Sequence, residues 1–257
     1  MESDVSHQHR MEDHVPHRLT VRRLDSIIAV VAACGTLNAL TPWVSVGAAT
    51  LAPDAERIVA GLAATSVRDS RLVESYATSK TFTIVHDGRT SVRLVAALKF
   101  TAPDMKEFTV LESLGSDFMR TRIINRMMAA EIEIARSASH ERSAITSDNY
   151  RFGTVREDGD AYVIEVDPRR KDELLFQGQA WITKDGFHLK RIEGQPAKNP
   201  SFWTKRVRFA SDFMPVNGVW VQVRTVATVT MRVFGEYGLQ AECGPYVMSM
   251  ARDAAGQ

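Results

Sequence analysis

The chain has 257 residues, of which 44% are hydrophobic and 25% are charged, and both values are ordinary for a globular protein. This length suits one large β domain or two smaller domains. The formal net charge of +1 predicts no nucleic-acid partner, because nucleic-acid-binding domains carry a marked excess of Lys and Arg. If the N-terminal segment with Cys34 is removed, Cys243 is the remaining cysteine and no intrachain disulfide can form.

Residues 1–53 form a leader that is predicted to direct the chain out of the cytoplasm. The leader begins with a polar stretch rich in His and Arg, and Ser26–Pro53 then contains no charged residue. This order is typical of a secretory signal. Three alternatives remain open: a signal cleaved near Val46–Ala49, a lipoprotein lipidated at Cys34, or a retained membrane anchor. Each of them places residues 54–257 in the periplasm or elsewhere in the cell envelope.

The next part of the chain is predicted to form a helix and three strands. Pro53 and Asp54 suit a helix start. The apolar stripe of this helix is Ile58, Val59, Leu62 and Ala63. The strand-like runs that follow are Leu72–Val85, Ser91–Phe100 and Lys106–Leu114. Alternation of apolar and polar residues in these runs indicates a sheet with one buried face and one solvent-facing side.

The segment Asp117–Ala138 interrupts the strand pattern with the period of an amphipathic helix. Its apolar stripe consists of Met119, Ile123, Met127, Ala130 and Ile134. A helix packed on a filled core explains this stripe. Methionines on or beside it are also typical of surfaces that accept variable apolar partners. The polar segment Ser139–Asn149 is predicted to be a loop.

From Tyr150 onwards the chain is predicted to consist of strands joined by short turns. The runs are Tyr150–Glu157, Ala161–Val166, Glu173–Thr183, Phe187–Gly194, Ser201–Phe213, Val219–Val233 and Glu236–Val247. Asp185-Gly186 between two runs is a strong hairpin signal, because a tight turn needs positive φ. Gly194–Pro200 is predicted to be a bend that lets the sheet curl. About ten strands at this spacing predict a strongly curved antiparallel sheet or barrel.

No catalytic signature is present in the sequence. It contains no nucleophile elbow, zinc-protease motif, Walker loop or dinucleotide-binding glycine motif. Beyond the leader the histidines are His86, His140 and His188, and the sequence shows no acid placed to orient any of them. We therefore predict no enzymatic activity, no cofactor and no metal site. The basic turn Arg169–Lys171 is typical of a solvated loop, although it also suits contact with anionic lipid headgroups.

Four runs carry a family resemblance. They are Asn149–Phe152 (NYRF), Tyr162–Pro168 (YVIEVDP), Leu175–Ile182 (LFQGQAWI) and Arg191–Trp203 (RIEGQPAKNPSFW). With these runs, roughly residues 54–247 resemble the LolA/LolB-like outer-membrane lipoprotein-sorting proteins of bacteria, in a poorly characterised branch of that family.

The resemblance implies both a fold and a role for residues 54–257. The implied fold is α+β and mainly β: a curved antiparallel incomplete β-barrel, with covering helices that close a hydrophobic cavity. Family members with known roles carry acyl chains or lipids across the periplasm. The implied partners are therefore a lipid or an acylated protein, together with a partner protein at the inner or outer membrane.

The predicted ligand-binding residues lie on the apolar faces of the sheet and of the helix. They are Leu94, Leu98, Phe108 and Val110 from the strands, and Met119, Ile123 and Met127 from the helix. An apolar cavity is enough to bind an acyl chain, since each buried CH₂ contributes about 0.8 kcal/mol. The open alternatives are a filled core without ligand space, a non-carrying interaction or sensor module anchored at the inner membrane, and a hydrolase, for which no nucleophile–base pair is visible.

Overall fold

The fold is that of a computed structural model, which describes residues 53–199, 202, 204–233 and 235–251. The leader up to residue 52, with its cleavage, lipidation and anchor alternatives, lies outside the described residues. The helices are α1 Pro53–Leu72, α2 Asp117–Met119, α3 Asn125–Ala135 and α4 Ser137–Ser143; a π-helical turn, Arg120–Ile124, joins α2 to α3. Among the helices that the structure describes, none is long and apolar enough to cross a bilayer.

The strands of the described residues form one antiparallel sheet that curves without closing. They are β1 Val73–His86, β2 Arg89–Thr101, β3 Met105–Gly115, β4 Tyr150–Asp158, β5 Ala161–Pro168, β6 Phe176–Thr183, β7 Leu189–Pro196, β8 Thr204–Val216, β9 Val219–Met231, β10 Gly235–Cys243 and β11 Val247–Met250. The order across the sheet is β3-β2-β1-β10-β9-β8-β7-β6-β5-β4, and β11 pairs with β1. Because β3 and β4 are edges that do not pair with each other, the prediction of an incomplete, mainly β barrel with helices is confirmed.

The alternating apolar positions of the strands meet on the concave face of this sheet. Register places Phe82 of β1 opposite Leu94 of β2 and Ala241 of β10, and all three are fully buried. Ile58 and Leu62 of α1 pack into the same core. Full burial of one large apolar side chain contributes about 1.5–3 kcal/mol. A slip of one residue would turn these side chains to the other face, so the burial pattern specifies the register.

A single cover helix, made of α2, the π turn and α3, runs from Asp117 to Ala135. The prediction of an amphipathic helix is confirmed up to Ala135, but the predicted end at Ala138 is wrong. Arg136 is extended, with φ −70° and ψ 136°, and ends the cover helix. The shorter helix α4 then begins at Ser137 and continues to Ser143, within the segment Ser139–Asn149 that was predicted to be a loop. Ser139 stabilises this corner by donating a hydrogen bond of 2.6 Å to the Glu133 carboxylate.

The hairpin between β6 and β7 forms as predicted, but its turn is longer than Asp185-Gly186. The turn spans residues 184–187, and both Gly186 (φ 74°) and Phe187 (φ 52°) are left-handed. Phe187 was predicted to begin the next strand. It instead packs over Gly61 of α1, where an added Cβ would lie 2.6 Å from Phe187 Cγ. The turn thereby fastens α1 to the sheet.

The predicted bend begins where two glycines of β6 and β7 face each other. Gly178 is paired with Gly194, and a Cβ added to Gly178 would lie 1.9 Å from the Glu193 carbonyl oxygen. Pairing between β7 and β8 runs only from Arg191↔Asp212 to Gly194↔Phe209. Beyond Gly194, β7 therefore leaves β8, and the sheet curls at this point.

Candidate functional site under the cover helix

The predicted ligand-binding residues of the strands share the concave face near the open edge at β3. Leu98 of β2 is paired with Phe108 of β3, and Phe108 packs half-buried against Phe82 with 6.4 Å between ring centroids. Leu94 and Leu98 are buried. Val110 lies on the same face but at the edge, where 40% of it is exposed.

The predicted residues of the helix lie on the side of the cover helix that faces the core. Met127 is buried, whereas Met119 and Ile123 are half-buried against the core cluster. The structure thus brings six of the seven residues into or against the core, and Val110 forms its exposed margin. The cover helix packs directly on β3.

The direction of the cover helix along β3 is set by polar contacts near its two ends. Arg120, early in the cover helix, donates a hydrogen bond of 2.8 Å to the Ser113 hydroxyl. Glu131, late in the helix, accepts one of 3.2 Å from Lys106. The helix therefore runs antiparallel to β3. The interface between the cover helix and β3, hereafter the slot, is apolar along its middle, and of its two polar ends the one at Glu131 is the less exposed (Glu131 18%, Arg120 31%).

At the Glu131 end of the slot, two lysines and one glutamate form a cluster, in which Lys80 is buried and Lys106 and Glu131 are half-buried. Lys80 of β1 is only 2% exposed and donates a hydrogen bond of 2.5 Å to Glu131. Its ammonium also lies 3.3 Å from the amide oxygen of Gln222. Lys106 contacts the second oxygen of the same carboxylate. Lone buried charges are strongly disfavoured, so this contact neutralises part of the charge that folding removes from water.

Two tyrosines and a phenylalanine surround this cluster. Tyr76 stacks on Phe100 at 5.1 Å and meets the ring of Tyr246 edge-on at 5.5 Å. Tyr246 donates a hydrogen bond of 2.6 Å to the Gln222 carbonyl oxygen. Burial raises the pKa of both tyrosine hydroxyls, so they remain protonated donors at neutral pH.

The lysines determine the ionisation of the cluster. Burial alone would raise the pKa of Glu131, but the charges of Lys80 and Lys106 outweigh burial and lower it. Burial alone would lower the pKa of Lys106, but the Glu131 carboxylate outweighs burial and raises it. The glutamate is therefore an anion and Lys106 a cation at neutral pH. This arrangement can bind charge.

Sequence reasoning missed this cluster because its members are far apart in the chain. Lys80 and Glu131 are 51 residues apart, and neither belongs to a local motif. One signal was available. Lys80 occupies an inward-facing position of β1, in line with Phe82, where the alternation of the strand predicts an apolar residue. Glu131 and Glu133 have separate partners, Lys80 and Arg136, because residues two apart on a helix point to different faces.

His188 acquires an acid neighbour that the sequence did not reveal. Its Nδ1 lies 3.4 Å from Asp69 of α1, and its ring stacks on Trp220 at 5.5 Å. Thr65 of the same helix donates a hydrogen bond of 2.7 Å to the Gly186 carbonyl. These contacts join α1 to the β6–β7 turn, and they contain no serine or cysteine nucleophile beside the histidine.

A separate cavity of about 570 Å³ lies at the surface where β7 leaves β8. Five basic side chains line it: Lys171, Lys198, Lys205, Arg206 and Arg232. Lys171 belongs to the basic turn singled out in the sequence, and Lys198 forms an ion pair of 2.5 Å with Glu173. This polar, open cavity does not suit an acyl chain. Within the described ranges, no three His, Cys, Asp or Glu side chains form a group that could hold a metal ion.

Known proteins share parts of this chain and its general shape. A model described as a family of unknown function, DUF5686, matches residues 142–241. No curated protein matches the chain significantly. Among solved structures, a DUF1329 family protein from Desulfovibrio piger is 14% identical with a TM-score of 0.39; the match covers 78% of this chain and 95% of that one.

Two further structures are similar over comparable lengths. A LolA superfamily protein from Nitrosomonas europaea is 11% identical with a TM-score of 0.34, covering 77% of this chain and 94% of that one. A domain described as an outer membrane lipoprotein-sorting protein, from Vibrio parahaemolyticus, is 9% identical with a TM-score of 0.35, covering 76% and 95%. Each match spans nearly the whole of the other chain.

Proposed function

We propose that this protein is a non-enzymatic LolA/LolB-like carrier of the bacterial cell envelope, which binds the acyl chain of a lipid or of an acylated protein. The acyl chain of the ligand enters between the cover helix and strands β1–β3. Displacement of the helix exposes the apolar face formed by Leu94, Leu98 and Phe108. Met119 and Met127 adapt to the ligand because the unbranched methionine side chain has three rotatable bonds, and Ile123 adds apolar surface.

The observation that carries the proposal is the open apolar margin beside the cover helix. Val110 lies on the concave face of edge strand β3, and it and the adjacent Leu111 are exposed. A contiguous exposed apolar patch marks a site of ligand or partner contact. Here the margin is continuous with the buried face, so it provides an entry for an acyl chain.

The proposal is tested by isolating the full chain from an envelope fraction and identifying bound lipids by mass spectrometry. Uptake of a fluorescent fatty acid by the delipidated protein gives the affinity. We expect co-purified acyl lipid and saturable uptake. Val110→Asp places a carboxylate in the path of the chain and should weaken uptake by about tenfold or more.

The matched control is Val247→Asp. Val247 is also an exposed strand valine, but it is paired with Ala77 on the convex side. This substitution should leave uptake unchanged. A protein that carries no lipid and takes up no fatty acid contradicts the proposal, as does equal loss of uptake in both variants.

A second candidate is a non-carrying interaction module held at the membrane. Edge strand β3 favours it, because Leu111 and Leu114 are exposed there and the outer backbone edge of β3 has no partner strand among the described residues. Crosslinking pull-downs should then recover one stable envelope protein, and Leu111→Lys should abolish its capture. Lipid uptake would be absent in this case.

A further inference from the structure

The buried cluster under the cover helix carries more positive than negative charge. Lys80 and Lys106 contribute two ammonium groups, and Glu131 contributes one carboxylate. Of the residues that the structure describes, Glu131 is the carboxylate within ion-pair distance of these two ammonium groups. The remaining contacts of Lys80 are neutral: the Gln222 amide and the face of the Phe82 ring.

Opening the slot removes this single carboxylate from the lysines. Glu131 lies on the cover helix, whereas Lys80 and Lys106 lie on β1 and β3 of the sheet. When the helix is displaced, both lysines lose their counter-ion but keep their partly apolar surroundings. Buried cations without a partner are strongly disfavoured, so a ligand that carries its own anion is favoured over a neutral one.

Along its length, the slot matches an amphiphile: it has charged side chains at the Glu131 end and apolar side chains beyond them. On the cover helix, Glu131, Met127, Ile123 and Met119 follow one another at intervals of four residues. At about 1.5 Å per residue this stripe is about 18 Å long, with its charge at one end. On β2 the apolar positions Leu98 and Leu94 continue away from Phe100, which is paired with Lys106. Both walls are therefore polar at the same end and apolar beyond it.

We propose that Lys80 and Lys106 form the head-group site for an anionic amphiphile, with a carboxylate or phosphate head, and that Glu131 is the internal anion which this head replaces. The inference rests on the proposed function, since it names the class of ligand for the same slot. The tail follows the methionine-bearing stripe towards Met119. The Tyr76 hydroxyl lies next to the head as a neutral donor.

The test compares palmitate, lysophosphatidate and methyl palmitate on the full-length, delipidated protein. Isothermal titration should give palmitate or lysophosphatidate an affinity about tenfold or more above that of the neutral ester, because a charge-assisted hydrogen bond is gained. The stronger of the two anions identifies the head chemistry. Glu131→Gln removes the competing carboxylate and should raise the affinity for the anion by about tenfold.

Lys106→Met should reduce the ratio of anion to ester affinity to about one while keeping ester binding, because the methionine retains the apolar stem. Lys99→Met is the matched control: Lys99 is exposed on the other face of neighbouring β2, and its variant should keep the ratio. Circular dichroism and thermal melts establish that each variant is folded.

Equal binding of anions and ester by wild type overturns this inference but leaves the carrier function standing. Binding of none of them overturns both.

Discussion

Lys80, on the concave face of the sheet, donates a hydrogen bond of 2.5 Å to Glu131 of the cover helix. This contact joins the β1–β3 part of the sheet to the helix that covers it. Lys106 adds a second donor to the same carboxylate. The cover is therefore held by charge at one end and by apolar packing along its length.

Glu131→Gln should destabilise the ligand-free protein because it leaves buried Lys80 and half-buried Lys106 without an anion. Removing one partner of a buried pair costs about 3 kcal/mol. Chemical unfolding in urea at pH 7 measures this loss as a lower free energy of unfolding. The control is Glu112→Gln, whose partner Arg93 is solvent-exposed, and which should change stability by about 1 kcal/mol or less. Equal effects of the two substitutions would show that the buried cluster adds no stability.

Acid should weaken the folded state through the same glutamate. The pKa of Glu131 is lowered in the folded chain, so its ionisation stabilises the fold above its unfolded pKa of about 4.3. This contribution is lost as the pH falls through the lower folded-state pKa. Urea unfolding between pH 7 and pH 3 should therefore show a steeper decline for wild type than for Glu131→Gln. Parallel profiles would contradict this assignment.

Gly61→Ala should destabilise the attachment of α1, although alanine favours a helix by about 1 kcal/mol over glycine. The new methyl group would lie 2.6 Å from Phe187 Cγ, and overpacking of this kind costs about 1–3 kcal/mol. Thermal unfolding should show a lower Tm for the variant. In a Phe187→Ala background the same substitution should become neutral or stabilising, and a persistent loss there would exclude the proposed clash.

Gly178→Ala should be the most damaging of the glycine substitutions. A Cβ at this position would lie 1.9 Å from the Glu193 carbonyl oxygen, and backbone atoms of a paired strand cannot move aside as a side chain can. We expect a loss of more than about 3 kcal/mol or no soluble protein. Gly238→Ala is the control in β10, because its Cβ would meet Val85 Cβ at an ordinary 3.9 Å. Similar stability of both variants would refute the close approach.

Much of the sheet could be predicted because strands with one buried face alternate visibly. In β2, Val92, Leu94, Ala96 and Leu98 point inward, as their spacing predicted, and all four are buried. The prediction of one last strand, Glu236–Val247, was wrong in one respect, because two strands, β10 and β11, form there. Gly244 donates a backbone hydrogen bond of 2.8 Å to Ser79 there, and this distant contact leaves no local pattern.

The site could be predicted only in its apolar half. The helical stripe and the inward strand positions identify Leu98 and Met127 without knowledge of the fold. The ion cluster could not be predicted, because two separate strands and a helix bring Lys80, Lys106 and Glu131 together. Likewise, the Asp69 neighbour of His188 comes from α1, more than a hundred residues earlier in the chain.

The short pairing of β7 with β8 divides the sheet into two leaves. One leaf contains β4–β7, and the other contains β8–β10 with β1–β3. Only Arg191, Ile192, Glu193 and Gly194 of β7 are paired with β8, whereas β8 and β9 are paired along almost their whole lengths. A change in the curvature of the sheet can therefore be absorbed at this one seam, while the pairing inside each leaf stays intact.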